Sequence, residues 1–140
     1  MIEITLSDLN KTNYYDLTLQ TLERICDDYG IMNEFGTLSM ANQMVFDYLE
    51  THYPQFNADV DFQIDNQEVS MNYTLQSGDF KSLSENSDDQ NTALYVLQSL
   101  ADEVSFSTGF DTLITTFHVK TKIIIQRSIQ HQEVRQSIFR

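Results

Sequence analysis

The sequence predicts an α+β fold: a two-layer sandwich, with a mixed but mostly antiparallel sheet of about five strands and three helices on one face. Three observations predict it. Residues 14–29 and 37–53 repeat apolar side chains at three- and four-residue spacings, the period of a helix with one buried face. Several short runs alternate apolar and polar residues, the period of a half-buried strand. Most of these runs meet through short, turn-like connectors, which suit antiparallel neighbours rather than long parallel crossovers.

Each element has its own local signal. Residues 1–6 place Ile2, Ile4 and Leu6 on one strand face, and "SDLNKTN" then supplies turn and helix-capping residues. In the first helix, 14–29, the inward stripe is Tyr15, Leu19, Leu22, Cys26 and Tyr29, with Gly30 as its C-cap. In the second, 37–53, it is Leu38, Ala41, Met44, Val45, Tyr48, Leu49 and His52, and Pro54 closes the helix. Val60, Phe62 and Ile64 alternate in the run 58–65, and Val69, Met71, Tyr73 and Leu75 in 68–76, with "DNQ" as the hairpin turn between them. Residues 77–92 read as a polar loop. A third helix, near 92–101, turns Ala93, Val96, Leu97 and Leu100 inward. Two strands follow, 104–107 and 112–125, joined by the turn "TGFD". The domain is expected to span 1–125, with 126–140 a basic tail that could form a short helix.

Composition narrows the classes. The chain has 140 residues, 41% of them apolar, enough for the core of one domain. No apolar run approaches the roughly 18 residues of a bilayer span. The opening "MIEITLSDLN" lacks the basic-then-apolar pattern of a signal peptide. The lone Cys26 forbids an internal disulfide, suits a reducing cytoplasmic setting, and reads as core filler rather than nucleophile. Net charge is −13, unevenly spread. Residues 1–119 hold 20 acids against three bases, a net −17. Residues 120–140 hold Lys120, Lys122, Arg127, Arg135 and Arg140 against Glu133 alone, a net +4. An acidic body disfavours nucleic acid, whose phosphates it would repel. The basic tail either stays solvated or docks on an acidic surface of this chain, a second copy or another protein.

The element order, with "MIEITLSDLN…LERICDDYG" at the start and "LYVLQSLADEVSFSTGFDTLITTFHVK" at the end, resembles the GHKL (histidine-kinase-like, Bergerat) ATPase fold. The branch it resembles most is the small anti-sigma-factor serine kinases. The likeness covers about 1–120 and is best over 91–120. It implies three nucleotide-site elements, and all three depart from the family pattern. Active members carry on one helix a glutamate and, four residues on, a magnesium-binding asparagine. On "ANQMVFDYLETHY" those positions are Met44 and Tyr48, and neither supplies the chemistry, since Met offers no hard oxygen to magnesium. His52 falls where many members have histidine, and at the end of an amphipathic helix it also reads as structural. The adenine-binding aspartate corresponds to Leu75, with Ser77 and Asp79 at the following glycine positions and Gly78 one place off. The phosphate-binding glycines correspond to Asn91 and Ala93, after a loop holding Glu85, Asp88 and Asp89 against Lys81. "Asp-x-Gly-x-Gly" occurs nowhere in the chain. Losing a few charge-assisted hydrogen bonds removes roughly 5 kcal/mol, on the order of a thousand-fold in affinity.

Other chemistry finds little footing. His52, His118 and His131 lack partners at ligand spacing, so no metal is expected. Asp59, Asp61 and Asp65 in "DVDFQID" lack the glycine and glutamate of an EF-hand loop. Asp102 and Glu103 end a helix rather than line a cleft, and no nucleophile elbow occurs. Phe56, Phe80 and Phe110, in connectors, read as loop anchors or partner contacts. The resemblance implies a non-catalytic, cofactor-free regulatory module whose partner is a sigma factor, an anti-sigma antagonist or a second copy, with no nucleic acid or membrane. Two alternatives stand beside it. One is a divergent ATP-binding kinase using Asp47, Glu50 or Asp79, although helix phase turns Asp47 and Glu50 away from Met44 and Tyr48. The other is a structural homodimer joined by edge strands or the tail.

Overall fold

The computed structural model describes residues 1–85 and 92–119. The expected tail helix, and the last strand beyond 119, lie outside the described residues. The elements in order are β1 (Ile2–Leu9), α1 (Tyr14–Asp28), a 3-10 turn (Met32–Glu34), α2 (Phe35–His52), β2 (Ala58–Ile64), β3 (Glu68–Leu75), α3 (Lys81–Ser84), α4 (Thr92–Leu100), β4 (Glu103–Phe106) and β5 (Thr112–His118). The strands form one five-stranded sheet in the order β1-β2-β3-β5-β4. All four pairings are antiparallel, so the expected mixture reduces to one orientation.

The alternation in each strand sorts the sheet into two faces. Val60, Phe62 and Ile64 of β2, Val69, Met71 and Tyr73 of β3, and Leu113 and Phe117 of β5 are buried in a single core with the helices. The intervening positions are polar and partly covered in β2 and β3, while β5 places Ile114, half-buried, and Thr116, buried, among them. Among the described residues no helix is long and apolar enough to cross a membrane.

Tertiary packing moved several details. β1 runs three residues past its predicted end. A register shift between Leu6 and Leu9 bulges the strand, Asp8 takes a left-handed φ of 59°, and its N–H donates to Asp59 Oδ1 at 3.0 Å. The bulge delivers Leu9, fully buried, to the core.

In α1 the inward residue is Tyr14, not Tyr15, which is 53% exposed; the buried stripe is Tyr14, Thr18, Leu22, Ile25 and Cys26. Adjacent residues point about 100° apart on a helix, so the two tyrosines meet different surroundings. Tyr14 faces in because its ring stacks on Phe46 at 4.4 Å and meets the edge of Phe56 at 6.2 Å. Its hydroxyl also accepts from Gln43 at 2.8 Å and donates to Glu50 at 3.1 Å. The C-terminus is as expected: Gly30 takes φ 68°, and the Ile31 N–H closes onto the Cys26 carbonyl at 2.8 Å.

In α2, His52 is exposed rather than inward, Met44 is half-buried, and Asn42 and Phe46 join the buried face. In α4 the buried residues are Leu94 and Leu97, with Ala93, Val96 and Leu100 half-buried. The "TGFD" turn places Phe110, not Gly109, in the left-handed region, with φ 61°.

Candidate functional site

The site implied by the resemblance falls where the end of α2 meets the β3–α3 loop. Tyr48, buried, and His52, exposed, one helical turn apart on α2, stack at 4.2 Å, and Tyr53 follows, its N–H bonded to the Leu49 carbonyl. β3 ends with its backbone tied on both sides: the Leu75 N–H donates to the Asp111 carbonyl at 3.0 Å, and the Gln76 N–H to the Asn57 carbonyl at 2.9 Å.

The loop that follows is drawn onto the tyrosines. Gly78 has φ +119°, and a Cβ there would lie 2.8 Å from Tyr53 Cε1, so the ring occupies the space a side chain would need. The Asp79 N–H donates to the Tyr53 hydroxyl at 3.1 Å, and the Tyr48 hydroxyl donates to the Asp79 carbonyl at 3.1 Å. Phe80 is fully buried, lies near-parallel to Tyr48 with centroids 5.9 Å apart, and donates its N–H to the Phe110 carbonyl at 2.6 Å. The Asp79 carboxylate accepts from the Lys81 N–H at 2.9 Å, just before α3. Burial pushes the Tyr48 hydroxyl pKa up, which keeps it a neutral donor.

The structure brings some of the named positions together and leaves others apart. Tyr48 and Asp79 converge, Asp79 being bonded to both Tyr48 and Tyr53, and Leu75 is buried at the end of β3, four residues before Asp79. Met44 lies one turn before Tyr48, half-buried against the core. Ala93, also half-buried, sits near the start of α4. Ser77 is exposed. Asn91 lies outside the described residues. Asp47 and Glu50 do not join Asp79: Glu50 binds the Tyr14 hydroxyl and Asp47 accepts from Gln43 at 2.9 Å, both toward α1. The one Glu-x-x-x-Asn spacing in the chain, Glu68 to Asn72, lies in β3, where the two side chains stand about 13 Å apart along the strand rather than stacked on a helix. Among the described residues no group of three or more His, Cys, Asp or Glu side chains is placed to hold a metal ion.

Phe80 carried the signal of an aromatic in a polar connector, and it is buried as a loop anchor; Tyr53, at the end of a helix, has no such signal. Only the approach of α2 to the loop shows that they fill the same space. Gly78 carried a partial signal, because a glycine just past a strand often marks a close backbone approach.

Fold and site together define a helix-backed antiparallel α+β domain with an aromatic cluster plugging the end of its second helix. No protein-family model matches the chain, and none of the curated proteins compared with it matches.

Proposed function

We propose that the chain is a non-catalytic, protein-binding regulatory module with the frame of a GHKL-type ATPase domain, acting through protein contact as anti-sigma-type regulators do. The observation that carries this reading is the Tyr48–Asp79–Phe80 cluster. The Tyr48 ring, with its neutral hydrogen bond, occupies the position where the resemblance would place the magnesium ligand, and the buried Leu75 side chain that of the adenine acceptor. Such side chains contribute about 1.5–3 kcal/mol each on burial, so they stabilise the fold where the family would keep a cavity. The partner class that the resemblance suggests is a sigma factor or its antagonist. A strongly acidic body argues against nucleic acid. The buried, unpaired Cys26 suits a reducing cytoplasm.

Thermal unfolding with and without millimolar Mg-ATP tests the reading. A ligand bound only by the native state raises its stability by RT ln(1 + [L]/Kd). No shift in Tm is expected; a rise of several degrees would restore the divergent-kinase alternative.

The homodimer reading is favoured by one observation. Among the described residues β1 is an edge strand of eight residues, paired with β2 on one side and with no strand on the other. Sedimentation of residues 1–140 against a version ending at Lys120 separates its two forms: equal association in both assigns the contact to the strands, and loss on shortening assigns it to the tail.

A further inference from the structure

The face of the sheet turned away from the helices is acidic, and among the described residues its strands place no lysine or arginine on it. Its rows cross the strands in register. One runs Glu3, Gln63, Ser70, Thr116, Glu103; the next runs Thr5, Asp61, Asn72, Ile114, Ser105. Asp59 belongs to the row after that. None of the five strands contains a lysine or arginine. The carboxylates crowd one another. Thr5 and Gln63 both donate to Asp61, at 3.0 and 2.8 Å, and a hydrogen bond to Asp61, reinforced by its charge, pushes the Glu3 carboxyl above its ordinary range. Among the described residues no helix covers this face; Asp61, Gln63, Ser70 and Ile114 are partly accessible there, while Thr116 is buried.

The chain leaves the sheet beside it. β5 lies between β3 and β4, and its last residue, His118, donates its N–H to Asp102 and pairs with Glu68 at 3.1 Å. Val119 bonds to Gln67, and the most basic part of the chain begins at the next residue. The exit is therefore at the same end of the sheet as the row containing Glu3 and Glu103. From β5 to β1 is three strand spacings, about 14 Å. Twenty-one residues have several times that reach.

We infer that the basic segment 120–140 docks across the acidic open face of its own sheet, with its lysines and arginines over Glu3, Asp59, Asp61 and Glu103. The inference stands on charge and position and does not depend on the regulatory reading above. Opposite charges of net −17 and +4 within one chain attract at short range, and the tether keeps the effective concentration high. Docking also separates the crowded carboxylates by placing cations among them.

A spin label tests this in the full chain. Cys26 is fully buried, so Ser137→Cys supplies the one accessible thiol. With isoleucine methyl groups labelled for NMR, Ile114 reports on the open face, and Ile25 and Ile31 report on the helix layer. The label should broaden Ile114 strongly and leave Ile25 and Ile31 sharp. The broadening should fall several-fold at 0.5 M salt, in Arg127→Glu/Arg135→Glu, and in Glu3→Gln/Asp61→Asn, whose unchanged spectra elsewhere verify folding. An unbroadened Ile114, or broadening indifferent to salt and to both double variants, overturns the proposal. So does broadening of Ile114 in a spin-free, isotope-labelled protein mixed with spin-labelled, unlabelled copies, which would assign the face to a second copy.

Discussion

The hydroxyl of Tyr48 donates to the backbone carbonyl of Asp79 at 3.1 Å, joining the second helix to the loop after the third strand. This bond, with Phe80 packed on the same ring, closes the end of the domain where the resemblance would put a nucleotide. Tyr48→Phe should cost about 1 kcal/mol, the typical net value of one hydrogen bond. Phe80→Ala should cost about 3–5 kcal/mol, because the ring is fully buried and leaves a cavity. The double change Met44→Glu/Tyr48→Asn, which reinstates the family's residue types, should lower stability rather than confer ATP binding, since it buries a charge among aromatic rings. Urea unfolding and an ATP-dependent Tm shift measure the two effects. A stable double variant that responds to Mg-ATP would show that only those side chains had been missing.

Two glycines should respond oppositely to alanine. Gly36 lies in α2, and a Cβ there meets nothing within 4 Å. Gly36→Ala should stabilise by about 0.5–1 kcal/mol through the lower entropy of the unfolded chain. Gly78→Ala should destabilise, because φ is +119° and the Tyr53 ring stands 2.8 Å from the new methyl. Equal Tm changes in the two variants would contradict the tight loop.

A buried polar chain ties α1, α2 and β3 together. Tyr73 donates to Asn42 Oδ1 at 2.9 Å, and Asn42 Nδ2 donates to Thr18 Oγ1 at 2.9 Å. Tyr73→Phe and Asn42→Ala should each cost about 1–3 kcal/mol for every buried group left unpaired. The double variant should cost less than the sum, since each single change already strands the other's partner. Additive denaturation energies would show that the two side chains act independently.

Alkaline pH should loosen the fold. Burial pushes the Cys26 thiol from 9.0 up to about 11, and burial raises the Tyr73 hydroxyl as well. Both groups hold their protons more tightly folded than unfolded. Their contribution is therefore complete below about pH 9 and is lost as pH climbs through 9 toward 11 and beyond. Stability measured in urea should be flat from pH 7 to 8.5 and fall by pH 10.5. Over the lower range Cys26 should resist thiol reagents unless the protein is unfolded. Rapid native-state labelling at pH 8 would place the thiol nearer the surface than the structure does.

Much of this fold was legible in the chain because secondary structure is a local property. Strand alternation at Val60, Phe62 and Ile64 survives in the sheet unchanged, since successive side chains of any strand point to opposite faces. Gly30 marked the end of α1 because the left-handed turn it makes involves only its neighbours. The site was half legible: Tyr48 and Leu75 stand out as residues unsuited to nucleotide chemistry, but nothing in their neighbourhood announces that Tyr53 and Phe80 share their space.

By itself, then, the sequence determined the order of the five strands and three longer helices within the described residues, though not the short α3 in a stretch read as loop, and the charge imbalance between 1–119 and 120–140. Tertiary structure alone decided which of Tyr14 and Tyr15 faces the core, that β1 bulges to seat Leu9, that β5 enters between β3 and β4, and that Tyr53 closes over Gly78. The difference is physical. Periodicity is set by backbone geometry over a few residues, whereas phase, strand order and closure depend on which distant side chains are available to be packed against.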